Sequence, residues 1–246
     1  MTNQTGPYQF SDFTYEVLNC NEIRIKRYAG EDSSPVIPDR IGQLPVTVLG
    51  RNSFLGTPVQ AIRIPESIRC IEENAFAACD QLQEVVLPCS LASMGRGVFQ
   101  ASEALRELSL SGKSNYYAVL EGVLYDRNEC RVVCCPPALD LEMIDVPFGT
   151  EIISDSAFYC NRALKYVRLP HTLQKIEKSA FLFTDALKMI ELPPYLKEIE
   201  DNAFLVGKGF RAEKQFTIFA FPDTEGYRYA QKNGICVSPL YFTVTD

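Results

Sequence analysis

The chain has no tryptophan, one histidine and four methionines among its 246 residues, and it carries less base than acid. Each scarcity excludes something. With 24 Lys and Arg against 31 Asp and Glu, the formal net charge of −7 argues against a nucleic-acid partner, because neutralising a phosphate backbone demands a basic stripe. The lone His171 follows Pro170 directly and has no Ser or Cys at the spacing of a nucleophile and base pair. No window approaches the ~18 to 20 apolar residues of a membrane-spanning helix, so membrane insertion is not expected. The opening Met1-Thr-Asn-Gln-Thr-Gly-Pro7 lacks the basic start and apolar core of a secretion signal. The expected location is therefore intracellular.

Motifs for cofactors and metals are equally scarce. Gly112-Lys113-Ser114 imitates the end of a phosphate-binding loop, yet the position five residues earlier is Glu107 rather than Gly. Cys130, Cys134 and Cys135 lack the paired spacing of a zinc site, and adjacent cysteines on a strand point to opposite faces. Nine cysteines leave at least one thiol unpaired in a monomer, and reduced thiols are expected throughout, with Cys70, Cys79 and Cys160 acting as small hydrophobes at coil turns. The sequence thus offers no catalytic residue, no metal site and no cofactor loop. It does not read as an enzyme.

What the chain does have is a period. Pro65 and Phe76, Pro88 and Phe99, Pro147 and Phe158, Pro170 and Phe181, and Pro193 and Phe204 are each eleven residues apart, and neighbouring pairs recur every 23 residues except across the step from Pro88 to Pro147. Such a period marks a solenoid whose coils each bury an apolar edge against the next. Within a coil, Leu164-Lys-Tyr-Val167-Arg-Leu169 alternates apolar and polar residues as a half-buried strand does, and Pro170 then ends it. Leu173 and Ile176 supply a second strand, and Phe181 fills the centre. Three residues after each Phe stands a compact polar side chain (Cys79, Ser102, Asn161, Thr184) suited to the turn's buried backbone groups.

The single domain expected over residues 1–246 divides into a cap (1–35), a first repeat block (36–112), an inserted hairpin (113–138), a second block (139–210) and a closing cap (211–246). In the first cap, Phe13 to Leu18 and Glu22 to Ile25 read as a hairpin around Asn19-Cys-Asn21. The inserted hairpin has strands at Tyr117 to Tyr125 and Cys130 to Cys134 with a turn at Asp126-Arg-Asn128. A short helix from Thr224 to Asn233, N-capped by Thr224 and stopped by Gly234, precedes closing strands at Ile235 to Val237 and Leu240 to Val244.

The coil reads close to Leu-x-x-Ile-x-Leu-Pro-x-Ser-Leu-x-x-Ile-x-x-x-Ala-Phe-x-x-Cys, and over about residues 36 to 210 it resembles the BspA-like class of bacterial leucine-rich repeats. The start from Phe13 to Pro45, the Gly122-Val-Leu-Tyr-Asp126 hairpin with Pro136-Pro137, and the close from Gly226 to Ile235 are similar to that family too. The resemblance implies a β-rich leucine-rich-repeat solenoid that binds partners, commonly at the surface of or outside bacterial cells and in some cases in adhesion. It supplies no catalytic residues.

A candidate contact surface follows from the alternation. Residues four and two before each Pro face outward, giving Ala61, Glu84, Met143, Tyr166 and Met189 in one column and Arg63, Val86, Asp145, Arg168 and Glu191 in the other. Strands ~4.8 Å apart would stack Met143, Tyr166 and Met189 as an apolar stripe beside Arg168, unless neighbouring side chains or the inserted hairpin cover it. Aromatic, Met and Arg side chains are the types enriched at interface centres. Met143, Tyr166, Arg168, Met189, Val86 and Arg63 are therefore the candidate residues for a protein or peptide partner. A glycan-binding module stacking sugars on Tyr116, Tyr117 and Tyr166 is the alternative, weakened by the absence of Trp. Residues five before the Pro (Gln60, Gln83, Glu142, Lys165, Lys188) add slight positive charge to the later coils.

Overall fold

The computed structural model describes residues 8–204 and 216–241. The chain divides into two compact units, Met1–Arg127 and Asn128–Asp246. Both are built from β-solenoid coils, and the alternation read from the sequence is what builds them. In Tyr166–Arg168 and Met189–Glu191 only the middle residue is buried, so each first strand turns one face to the core and one to solvent.

In the first unit, Phe13–Val17 and Ile23–Tyr28 form the expected antiparallel hairpin, with Asn21 in the left-handed region (φ 58°) at its turn. Tyr8–Phe10 adds a third strand to this cap. Ile23–Tyr28 then pairs in parallel with Leu44–Leu49, which continues to Cys70–Ile71 and Ser93–Met94. Ala61–Arg63, Glu84–Leu87 and Glu107–Leu110 form a second parallel ladder in register steps of 23 residues. Phe54, Phe76 and Phe99 stack between the ladders, and Phe13 and Tyr28 close the stack at the capped end.

The inserted hairpin is present, and a tight turn splits the strand expected over Tyr117 to Tyr125 into two. Tyr117–Leu120 pairs with Val123–Asp126 through Glu121 and Gly122, whose φ values of 50° and 82° make the two-residue turn that matches strand twist. Arg131–Cys134, the second strand expected, also runs parallel to Ile152–Ile153 as a solenoid strand. Alternation was read straight through Glu121-Gly122, a pair that can take positive φ at both positions.

The second unit repeats the scheme with greater regularity. Arg131–Cys134, Ile152–Ile153, Lys175–Ile176 and Glu198–Ile199 form one parallel ladder. Met143–Asp145, Tyr166–Arg168, Met189–Glu191, Thr217–Ala220 and Cys236–Pro239 form the other. Phe158, Phe181, Phe204 and Phe216 stack in line. The helix Glu225–Lys232 brings Tyr229 edge-on against Phe204. Thr224 caps its start, accepting from the Tyr227 N–H, and Gly234 (φ 66°) ends it. Of the expected last strand, 240 to 244, residues 242–244 lie outside the described residues, and Leu240 donates its N–H to Ala220 O.

The compact polar column behaves as its chemistry requires. The Ser102 hydroxyl donates to Phe76 O at 2.7 Å and accepts from the Cys79 N–H at 3.0 Å, while Thr184 donates to Phe181 O. Asn161 uses both ends of its amide, accepting from the Leu164 N–H at 2.9 Å and donating to Pro136 O at 3.0 Å. All four side chains are buried, so each bond spares the interior an unpaired backbone group.

Candidate functional site

The register brings Met143, Tyr166 and Met189 side by side, with Cα partners Met143 to Tyr166 and Tyr166 to Met189. Their exposures are 46, 39 and 42%, so the stripe lies open among the described residues. The Arg168 guanidinium stands beside it, 3.4 Å from Asp145 on the preceding coil. These four residues line a groove of about 380 Å³ together with Glu191 and Phe219. Phe219 was not among the sequence candidates. It pairs with Glu191, but the step from Met189 to Thr217 is 28 residues, and no Pro and Phe pair at the regular distance marks that coil. The alternation Phe216-Thr-Ile-Phe-Ala220 was the signal that could have found it.

Val86 and Arg63 fall in the first unit, where they line a groove of about 650 Å³ with Ala61, Pro65 and Val36. The six candidates thus divide between a groove in each unit. Charge on these faces is largely paired: Glu84 binds Arg106 at 3.0 Å, and Lys165 binds Glu142. Lys188 is exposed.

One expectation is overturned. Tyr117 is buried, because as the first residue of its strand it turns inward and leaves Tyr116 outside. It cannot serve as a sugar platform. Ser114 has a structural task instead, its hydroxyl accepting from the Tyr116 and Tyr117 N–H groups at 3.2 Å.

Sequence reading also missed an acidic column just after the second strand. Glu72, Glu177 and Glu200 accept the backbone N–H groups of Arg51, Asp155 and Lys178 in the preceding coils, at 2.9, 3.0 and 3.0 Å. The sequence signal was Ile-Glu four residues before Ala-Phe in Ile71-Glu72, Ile176-Glu177 and Ile199-Glu200. These acids hold coils together.

All nine cysteines are free thiols. Burial pushes the Cys134 thiol up to about 12 and Cys135 well above the usual thiol range, so neither is a nucleophile near neutral pH. Cys89 donates to Glu66 at 3.2 Å, and that hydrogen bond raises its pKa as well. Among the described residues no three His, Cys, Asp or Glu side chains converge as metal ligands, and no helix is long and apolar enough to cross a membrane.

Parallel ladders at a 23-residue step, Leu and Ile turned inward, Pro at the corner and a stacked Phe define a leucine-rich-repeat β-solenoid. The sequence matches the family described as BspA type leucine rich repeat region (6 copies) over residues 47–139 and 134–209, and the chain belongs to that family. No curated protein matches it. Among solved structures, a leucine-rich repeat protein from Bacteroides ovatus ATCC 8483 is similar at 24% identity and TM-score 0.54, over 78% of this chain and 49% of that one. Another from Eubacterium ventriosum ATCC 27560 is similar at 14% identity and TM-score 0.51, over 86% and 71%. A leucine rich cell surface protein from Faecalibacterium prausnitzii A2-165 aligns at 13% identity and TM-score 0.42, over 99% and 97%. The expectation of an intracellular location finds no support in these comparisons.

Proposed function

We propose that the chain is a non-enzymatic scaffold that binds a protein or peptide on the outward face of its first-strand ladders, with Met143, Tyr166, Met189 and Arg168 as the contact centre. The observation that carries this reading is the stripe itself, three large apolar side chains in register on adjacent strands and open to solvent. Two adaptable thioethers flanking an aromatic ring form a surface that repacks around a partner, and Arg168 with Asp145 supplies a polar rim. Phe219 extends the apolar wall.

A glycan-binding role is the weaker reading, since Tyr117 is inside and there is no Trp. Adhesion would be one use of the scaffold, as the family resemblance implies, and the proposed partner pool therefore includes host surface proteins.

The test is Tyr166→Asp, with Glu107→Lys as a control in the same outward column. Because Tyr166 is a surface position, the melting temperature should stay within a few degrees of wild type. Partners recovered from the source cell's lysate or from host surface extract should bind the variant at least about tenfold more weakly, or ~1.4 kcal/mol. If the variant folds and keeps every partner, the stripe is not the site.

A further inference from the structure

In the first-strand ladder of the first unit, the residue five before each Pro accepts from the next coil: Gln60 O takes the Gln83 and Glu84 N–H groups, and Gln83 O takes those of Arg106 and Glu107. Ser33 O holds the equivalent place in the opening coil, taking Gln60 and Ala61 at 2.7 and 3.2 Å. There the ladder stops. The opening coil continues Ser34-Pro35-Val36-Ile37, none of it strand, and Pro35 has no N–H to give.

Parallel pairing sends alternate residues of a strand to alternate neighbours. Ile64 donates to Val86 O, so Ile62 and Ile64 face the Glu84–Leu87 strand while Ala61 and Arg63 face residues 34–37. With the Ala61 N–H held by Ser33, three backbone groups remain on that edge: Ala61 C=O, Arg63 N–H and Arg63 C=O. None bonds to residues 34–37. The groove of about 650 Å³ lies here, between Pro35, Val36 and Asp39 on one side and Ala61 and Arg63 on the other, and Val36 is 85% exposed. Side-chain charge is unmatched at the same place. In the second unit Arg168 finds Asp145 one coil earlier, whereas the residue one coil before Arg63 is Val36, and among the described residues Arg63 has no ion pair. Of the groove's three acids, Glu84 pairs with Arg106, Glu66 accepts from the neutral Cys89 and Ser111, and Asp39 makes no ion pair among the described residues, so none of them neutralises Arg63.

We propose that this groove takes an extended peptide as an added parallel strand beside Ala61–Arg63, with an acidic side chain against Arg63. A peptide residue level with Ile62 donates its N–H to Ala61 O and accepts from the Arg63 N–H, and the residue two further on donates to Arg63 O. Its inward side chain is apolar, and the next one, outward beside Arg63, is Asp or Glu. The parallel orientation continues this ladder, in which Ala61–Arg63, Glu84–Leu87 and Glu107–Leu110 all run the same way. The site shares no residue with the Met143, Tyr166 and Met189 stripe, so its failure would leave that reading standing.

The test uses the full chain, isotope-labelled, and a capped Thr-Thr-Val-Asp-Thr-Thr peptide. In the free protein the Arg63 amide should exchange with solvent at least about tenfold faster than Ile64, and saturating peptide should protect it while shifting Ala61 to Arg63. Methylating the peptide's valine nitrogen should weaken binding about tenfold or more. Replacing its Asp by Lys should do the same, and Arg63→Glu should restore the Lys peptide. An Arg63 amide already protected in the free protein, no saturable shift, or equal binding of the N-methylated peptide would each overturn the proposal.

Discussion

The phenylalanine stack is drawn to different tolerances in the two units. In the second, Phe158, Phe181 and Phe204 lie 4.8 Å apart with planes within 3°, while in the first Phe54 and Phe76 tilt by 22° and Phe76 and Phe99 separate to 5.9 Å. The residue before the ring tracks the wider gap at Phe99, though not the tilt between Phe54 and Phe76, which follow the small Ser53 and Ala75. Ala157, Ala180 and Ala203 precede the three regular rings and are fully buried, whereas Val98 precedes Phe99. The branched side chain needs room that the 4.8 Å ladder spacing does not leave. The same coil has lost bulk elsewhere: a Cβ on Gly95 would sit 2.4 Å from the Glu73 backbone nitrogen, where other coils carry Glu72, Ser154, Glu177 or Glu200. Strand pairing therefore sets the repeat's period, and one small residue sets how well the core fills it.

That contrast breaks if the rings prove energetically equal. Phe181→Ala should cost about 3 to 5 kcal/mol, since the ring is fully buried between two parallel neighbours and the ladders on either side prevent collapse of the cavity. Phe99→Ala, truncating a ring with one looser neighbour, should cost about 1 kcal/mol less. Urea unfolding of both variants measures the difference, and amide exchange should rise first in the coils of Phe158 and Phe204 for the Phe181 variant. A loss under about 1 kcal/mol at Phe181 would remove that column from the core.

The acidic column gives a second contrast. The Glu177 carboxylate, almost wholly buried, accepts the Asp155 N–H and faces Arg131 at 3.5 Å, while Glu72 does the same work half-exposed with Arg51 and Arg24. Glu177→Ala leaves the part-buried Asp155 N–H without its acceptor and takes one of two carboxylates from Arg131, which keeps Glu129 at 2.7 Å, and should cost about 2 kcal/mol. Glu72→Ala, where water can reach the abandoned groups, should cost about 1 kcal/mol. Thermal unfolding of the two variants checks this, and equal losses would show that burial is not what matters in that column.

What was legible follows from what repeats. The Pro corner, the Phe centre, the polar column after it and the outward stripe each recur at the period, so one sequence read against itself revealed them. Glu121-Gly122 was missed because it occurs once and interrupts an alternation that continues on both sides. Phe219 was missed because a longer coil displaced it from the period. The acidic column recurs in the sequence, but an Ile-Glu step looks like any strand leaving for solvent, and only coordinates show the carboxylate turned onto a neighbouring backbone. The edge beside Pro35 was invisible for a further reason: what matters there is which backbone groups lack a partner, and that depends on where two distant segments lie.

Acid should weaken contacts in the first unit. Glu16 is held below its ordinary value of 4.5, chiefly by the hydrogen bond from Arg24 and with help from Lys26. In Glu66, burial pushes upward but is outweighed by hydrogen bonds from Ser111, Cys89 and Ser90, and the net shift is again downward. Both lie in the first unit. A carboxyl whose folded pKa is depressed adds stability above its unfolded pKa and loses it as pH falls through the folded one. The melting-temperature difference between wild type and Glu16→Gln should therefore be full above the ordinary carboxyl range and shrink as pH falls through the depressed folded value, below 4.5. A constant difference would mean that Glu16 acts by packing and not by charge.

The smallest effect tests backbone strain at the turn after each Phe. The residue two beyond the ring is left-handed in both units, as Gly56, Ala78 and Ala101 in the first and as Cys160 and Phe183 in the second, with φ between 53° and 67°. Only Gly56 takes that conformation without a Cβ penalty. Ala101→Gly removes a methyl that is only half-buried, so relief of the backbone should exceed both the lost contact and the freedom gained by the unfolded chain. The expected gain is about 0.5 kcal/mol, read as a shift in the urea midpoint at unchanged slope. At Phe183 the same change should fail to stabilise, because the ring there stacks edge-on against Tyr159 with centroids 5.6 Å apart, and losing that contact offsets the relief. Stabilisation at Phe183 equal to that at Ala101 would show that the ring contributes nothing and that the turn alone decides.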